Sequence, residues 1–149
     1  MNADSIIQRL GLIPHPEGGH YREVYRAPLE VGASRGSVTS IYFLLQAGEV
    51  SRWHRVDAVE IWNFHAGDNL ELKMATEEGE ETYLLGTDIS GGARPQAIVP
   101  PHAWQSARSL GPWSLVGCAV APAFEFEGFE LAPEDWKPSN HQGGTPDHE

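Results

Sequence analysis

From residue 20 onward the chain is a succession of short runs rich in β-branched and aromatic residues. Each run is closed by a Gly, Pro, Asn or Asp signal, and almost nothing in the sequence carries a helical period. Many short strands at regular spacing with turns between them confine a chain to a sandwich or a barrel. Strands are expected at 20–26, 38–45, 50–56, 60–65, 70–74, 82–85, 97–99, 105–108 and 114–120. In the fifth, Leu70, Leu72 and Met74 alternate with Glu71 and Lys73, as in a half-buried strand. A late strand is expected through Phe124, Phe126, Phe129 and Leu131, with Gly128 as a bulge. Glu77 to Glu81 reads as an acidic hairpin loop, and 133–136 as one helical turn. Ahead of the strands, Asp4 or Ser5 can cap a short helix through Ile6, Ile7 and Leu10 that Gly11 ends. His15-Pro16-Glu17-Gly18-Gly19 then breaks it.

A chain of 149 residues with 40% hydrophobic residues suits one domain with one core. The expected layout is a single domain over 1–149, with a helical region at 1–12 and a polar tail at 138–149. Net charge is −11 and no Lys/Arg block occurs, which argues against nucleic acid and an anionic membrane surface as partners. Cys118 is the one cysteine, so no intrachain disulfide forms, and an inert core thiol is expected. The first residues lack the basic and apolar regions of a signal peptide, and no run of 18 apolar residues occurs. A cytoplasmic location is therefore expected. The Gly-x-Ser-x-Gly elbow, the phosphate-cradling loop, the dinucleotide fingerprint and paired Cys-x-x-Cys are all missing.

The segment from Gly48 to Gly67 carries the chemistry. Five residues separate Gly48 from His54, five separate His54 from Glu60, and six separate Glu60 from Gly67. His54 and Glu60 would lie on adjacent strands joined by a tight turn between Val56 and Val59, facing one interior. This spacing resembles the first cupin motif, with Val56 where that family has its second His. Val99-Pro100-Pro101-His102-Ala103-Trp104-Gln105 resembles the second motif, with His102 in place of its Gly and Gln105 in place of its His. Five stretches resemble one cupin family in particular, DUF985 or cupin 5. They are Pro14-His15-Pro16-Glu17-Gly18-Gly19, Ser51-Arg52-Trp53-His54-Arg55-Val56-Asp57, Glu60-Ile61-Trp62, Pro100 to Gln105, and Val120-Ala121-Pro122-Ala123-Phe124. The resemblance implies an all-β double-stranded β-helix, the cupin jelly roll, with a ligand-sized cavity, a homodimer and no firmly assigned reaction.

Three functional readings follow. A metal-holding cupin uses three His and one Glu. Here His54, Glu60 and the neutral amide of Gln105 would be the metal ligands, a poor set for a divalent metal; no cofactor is the primary expectation. Metal-free cupins include sugar-nucleotide epimerases with a His base and a Tyr acid. In that reading His54 is the base, Glu60 its orienting partner and Tyr42 the acid, acting on a sugar-like or organic-acid ligand. In the third, the site binds a small molecule without turnover, as a sensor or carrier. Gln105 would hydrogen-bond the ligand, with Trp62 and Phe64, on the face of Glu60, as its apolar wall. Trp53 and Trp104 are expected to point outward, to another sheet or a second subunit. Glu17 is read mainly as part of a turn. Arg22, Arg26, Arg52 and Arg55 are read as solvated or ion-paired, and His102, His141 and His148 as exposed.

Overall fold

The computed structural model describes residues 1–138; His141 and His148 and most of the expected tail lie outside the described residues. The chain begins with α1 (Ala3–Leu10). The N-cap is Asn2, earlier than expected: its side chain accepts the Ser5 N–H, and Gly11 ends the helix in the left-handed conformation at φ 68°. Eleven strands follow: β1 (Ile13–Pro14), β2 (His20–Arg26), β3 (Thr39–Gln46), β4 (Val50–Val56), β5 (Val59–Gly67), β6 (Leu70–Thr76), β7 (Gly79–Leu85), β8 (Gln96–Val99), β9 (Trp104–Ser109), β10 (Trp113–Ala121) and β11 (Phe129–Leu131).

The strands form two antiparallel sheets. One has the order β1-β2-β3-β10-β5-β8 and the other β11-β4-β9-β6-β7. Consecutive strands repeatedly cross from one sheet to the other, which winds the chain into a jelly roll. Alternation along each strand sends one set of side chains inward. Phe43 and Leu45 of β3, Trp62 of β5, and Val116 and Cys118 of β10 meet Leu70, Leu72 and Met74 of β6 between the sheets. The opposite face of the first sheet is covered by α1, whose Ala3 and Ile6 pack on Leu44 with Tyr42 at their side. The outer face of the second sheet is covered by the chain's own C-terminal segment: Trp104 is buried among Ala75, Ala132 and Trp136, with Trp53 against them. Trp53 and Trp104 do point outward as expected, and they meet Trp136 of the same chain, at ring separations of 5.7 and 4.6 Å.

Two local expectations are corrected. The acidic segment 77–81 is mostly strand: β7 starts at Gly79, and Glu80 and Glu81 pair with Ala75 and Met74. β7 is an outer strand of its sheet, where charged side chains discourage further pairing. The late strand is also shorter than expected, because only Phe129–Leu131 pairs, with β4. Residues 122–125 satisfy their backbone elsewhere. Arg35 donates to the Ala123 carbonyl at 2.7 Å, Arg26 to the Phe124 carbonyl at 3.0 Å, and the Phe124 N–H bonds Thr39 at 2.9 Å. Gly128 lies in a 3-10 turn, Phe126–Gly128, not a bulge.

Candidate functional site

His54 and Gln105 face each other across the β4–β9 ladder, and Glu60 comes from β5 in the opposing sheet. The expected convergence is present: all three side chains are buried. Gln105 Nε2 donates to Glu60 Oε1 at 2.9 Å, bridging the two sheets. Trp62 Nε1, two residues along β5, donates to Gln105 Oε1 at 2.9 Å. An indole N–H can only donate, so it fixes the amide: the carbonyl faces Trp62 and the NH2 faces Glu60. This arrangement engages with Trp62 the Gln105 oxygen that was expected as a metal ligand. It also makes Gln105 the partner that orients Glu60.

Glu60 is not the orienting partner of His54. That group is the Arg52 carbonyl, 2.7 Å from His54 Nδ1. A proton on Nδ1 serves this bond, so the lone pair of Nε2 points into the interior. There it meets Glu17 Oε1 at 3.3 Å. Glu17 is the residue that sequence reasoning undervalued. Its other oxygen accepts a close hydrogen bond from the buried Ser51 hydroxyl. Its backbone N–H bonds His15 Nδ1 at 3.1 Å. The turn carrying it leaves the first sheet and bonds to the second: Arg52 N–H donates to the Glu17 carbonyl at 2.8 Å. Gly18 sits at φ 112°, and a Cβ there would lie 2.2 Å from the Val50 carbonyl oxygen. Only glycine lets the turn approach β4 this closely. The available signal was a carboxylate set inside a Pro-x-Gly-Gly turn.

These groups line a cavity of about 70 Å³. Phe43, Ile41, Val120 and Trp62 wall it, and Arg26, Phe124 and Phe126 stand at its rim. Burial dominates the electrostatics, because low-dielectric surroundings disfavour charge. It pushes the Glu17 carboxyl up to about 8, against the Ser51 hydrogen bond. It pushes Glu60 up to about 7; nearby His54 opposes this and nearby Glu17 adds to it. It lowers His54, with Glu60 pulling the other way, and lowers His15 to about 4, helped by His54. Near neutral pH the cavity therefore holds two neutral imidazoles beside two carboxyls that titrate there. Cys118 was read as an inert core thiol. It is buried, but it also lines the cavity and hydrogen-bonds Glu60, its diagonal neighbour through the Cys118–Trp62 and Val120–Glu60 pairs. Burial and the adjacent carboxyls keep it a thiol.

Tyr42 is not in the site. It alternates with Ile41 and Phe43, so when those face the cavity it faces outward against α1, its ring 6.4 Å from that of His65. It cannot serve as the acid. Phe64 packs against the main core but does not line the cavity, so of the two expected aromatic walls only Trp62 is one. Of the four arginines singled out, Arg26 pairs with Glu23 at 2.8 Å and Arg55 with Glu130 at 2.7 Å. Arg22 and Arg52 donate to the carbonyls of Leu10 and Ala132.

A jelly roll enclosing a buried His and Glu, on consecutive strands that fall in opposing sheets and not on neighbours in one sheet, defines a protein of the cupin class. Residues 4–132 match the family described as Cupin superfamily (DUF985), and the chain belongs to that family. A crystal structure of a Shewanella oneidensis protein is 42% identical, with a TM-score of 0.85 over 99% of this chain and 92% of its own. A hypothetical protein from Leishmania major is 30% identical, with a TM-score of 0.85 over 99% and 94%. A mutant oxalate decarboxylase from Bacillus subtilis overlays 79% of this chain and 29% of its own, with a TM-score of 0.60 and 16% identity, a likeness of fold alone. Among curated proteins none matches the chain.

The oxalate decarboxylase of B. subtilis has Mn(II) centres. Of the three His and one Glu that the motif resemblance implies for a metal-holding cupin, this chain keeps His54 and Glu60. Val56 carries no donor, the Gln105 oxygen is engaged by Trp62, and His54 offers a single nitrogen. Among the described residues no group of three or more His, Cys, Asp or Glu side chains is arranged to hold a metal ion. Among the same residues, no helix is long and apolar enough to cross a membrane.

Proposed function

We propose that this cupin binds a small molecule in its cavity and moves a proton on it, in an isomerase- or epimerase-like reaction. The observation that carries the reading is the Glu17–His54 contact of 3.3 Å in an apolar-walled cavity, with His54 held from behind by a backbone carbonyl. His54 Nε2 takes a proton from a carbon beside a ligand carbonyl. The carboxyl of Glu60, which titrates near the working pH, gives a proton to the carbonyl oxygen. The enol then collapses in the reverse sense, Glu60 recovering its proton and His54 returning one to carbon. Glu17, when it stands as the carboxylate, stabilises the transient imidazolium beside it. No electrons leave the ligand, so no oxidant or reductant is needed, and groups with midpoints near the operating pH suit such a shuttle.

The test is a thermal-shift screen of small carbonyl compounds, followed by incubation of each hit in heavy water. Proton NMR should show the ligand's C–H exchanging for deuterium with the native protein and not with His54→Gln. A hit that binds tightly without exchanging defeats the proton-transfer reading and leaves a carrier or sensor. The proposal also includes a homodimer, as the family resemblance implies, and a cytoplasmic location. Gel filtration at several concentrations tests the dimer.

A further inference from the structure

The charges around the cavity speak to the kind of ligand it takes. Glu17 and Glu60 are both more than nine-tenths buried and line the same small space. His15 and His54 are held neutral by burial. Tyr21, Thr39 and Cys118 add neutral hydroxyl and thiol groups. Arg26 is the one Lys or Arg side chain lining the cavity among the described residues, and it stands at the rim. Its guanidinium is engaged by Glu23 at 2.8 and 3.1 Å and by the Phe124 carbonyl at 3.0 Å. Two carboxyls therefore share a low-dielectric space with no free cation facing them. Such a pair resists ionising together, and a positive group brought between them favours it.

The hydrogen-bonding inventory points the same way. His54 presents a lone pair at Nε2, beside Glu17 Oε1 at 3.3 Å, since its Nδ1 serves the Arg52 carbonyl. The oxygens of Glu17 and Glu60 become pure acceptors once ionised. An organic anion would bring more lone pairs into this set. A neutral alcohol would satisfy some of it and gain nothing from the charge. An alkylammonium brings donors and a positive charge together. Its apolar body would lie against Phe43 and Trp62, and an aromatic face attracts a cation. Outside the rim, Glu125 and Glu127 flank Phe126 on a chain of net charge −11, a field that draws cations inward. The volume of about 70 Å³ corresponds to roughly five to seven water positions, which suits a ligand of about as many non-hydrogen atoms.

We propose that the ligand of this cavity is a small organic amine, bound as its ammonium form between the carboxylates of Glu17 and Glu60 and against the aromatic wall. The inference rests on the reading of the cavity as the ligand site. It takes Glu60 as a carboxylate when the amine is seated, not as the proton donor of the turnover reading, so the two stand or fall separately.

Three probes of matched shape test it: isobutylamine, isobutanol and isobutyrate, titrated into the full chain by calorimetry. Isobutylamine should bind at least about tenfold tighter than isobutanol, a factor that cation–aromatic attraction alone can supply, and isobutyrate should bind most weakly. Binding of the amine should tighten from pH 5.5 to 8.5, because it needs the carboxyls ionised and these titrate at about 7 and about 8. Protons should be released on binding, read as a buffer-dependent heat. Glu60→Gln should lose about tenfold in amine affinity, with an unchanged far-ultraviolet circular dichroism spectrum reporting that the sheets are intact. Should that variant fail to fold, the sign of the pH dependence in the native protein decides. Isobutyrate binding more tightly than the amine, equal affinity for amine and alcohol, amine binding that is flat or weakens across this pH range, or no binding of any probe at millimolar concentration would each overturn the proposal.

Discussion

The Trp62 indole shows how one donor sets the chemistry of a neighbouring pair. An amide can be turned over with little change of shape, and only its partners decide which end faces where. Here the indole fixes Gln105, and Gln105 delivers an N–H to Glu60. Trp62→Phe keeps a ring in the core but removes that constraint. The variant should lose about 1–2 kcal/mol of stability, the cost of leaving a buried polar group unpaired. The Glu60 midpoint should move up from about 7, because its carboxylate loses an assured donor. Urea unfolding and a carboxyl-carbon NMR titration measure the two effects. His54, Glu60 and Gln105 were legible in the sequence because their spacing is a motif. Glu17 was not, because its role comes from where a turn touches the other sheet, and spacing along one chain does not encode that contact. Tyr42 was misplaced for a related reason. Alternation says that it opposes Ile41 and Phe43, but not which set faces inward, and α1 provides apolar cover for the outer set.

At the scale of elements, the sheets were largely legible and the connections were not. Strands β2 and β4 have the bounds their composition suggests, and β3, β5, β6, β8, β9 and β10 differ from expectation at their ends. The run 124–131 shares the composition of a strand, yet ladder pairing is confined to three of its residues. Arg26 and the Thr39 hydroxyl take the backbone groups of Phe124, and Arg35 the carbonyl of Ala123 just before it, a long-range competition that local propensity cannot see. Two predictions belong here. Gly18→Ala places a methyl against the Val50 carbonyl in a left-handed conformation. It should cost about 2 kcal/mol or more and weaken ligand binding, because Glu17 is the residue before. Trp136→Ala should cost about 3 kcal/mol by uncovering Trp104 on the outer face of the second sheet. It should leave ligand affinity unchanged, since that face lies behind the cavity. Urea midpoints and calorimetry of the two variants separate the seam from the covering.

For the whole molecule, the buried ionisable groups make stability depend on pH in two opposed ways. The carboxyls of Glu17 and Glu60 bind protons more tightly when folded, with midpoints at about 8 and about 7 against 4.5. Wherever the native state holds more protons than the unfolded chain, stability falls as pH rises. His15 is lowered to about 4 from 6.5, and His54 is lowered too. These imidazoles resist protonation when folded, so their contribution is lost as pH falls below 6.5. From 4.5 to 6.5 the two effects offset each other. Between pH 6.5 and 8 the carboxyls outweigh the remaining imidazole titration, and unfolding free energy should drop by roughly 2 kcal/mol. Urea unfolding at pH 6.5 and 8 checks this, and Glu17→Gln should flatten the slope. An increase in stability over that interval would show that the two carboxyls are already ionised in the native protein.

The turn at 15–19 has a consequence of its own. One short piece of chain both staples the sheets, through the Glu17 carbonyl and Arg52, and presents the acid to the imidazole. Loosening that staple by a fraction of an ångström would leave the ladders intact, yet it would part the carboxyl from the imidazole. Wear at this joint would open the buried pair well before it unravelled the barrel.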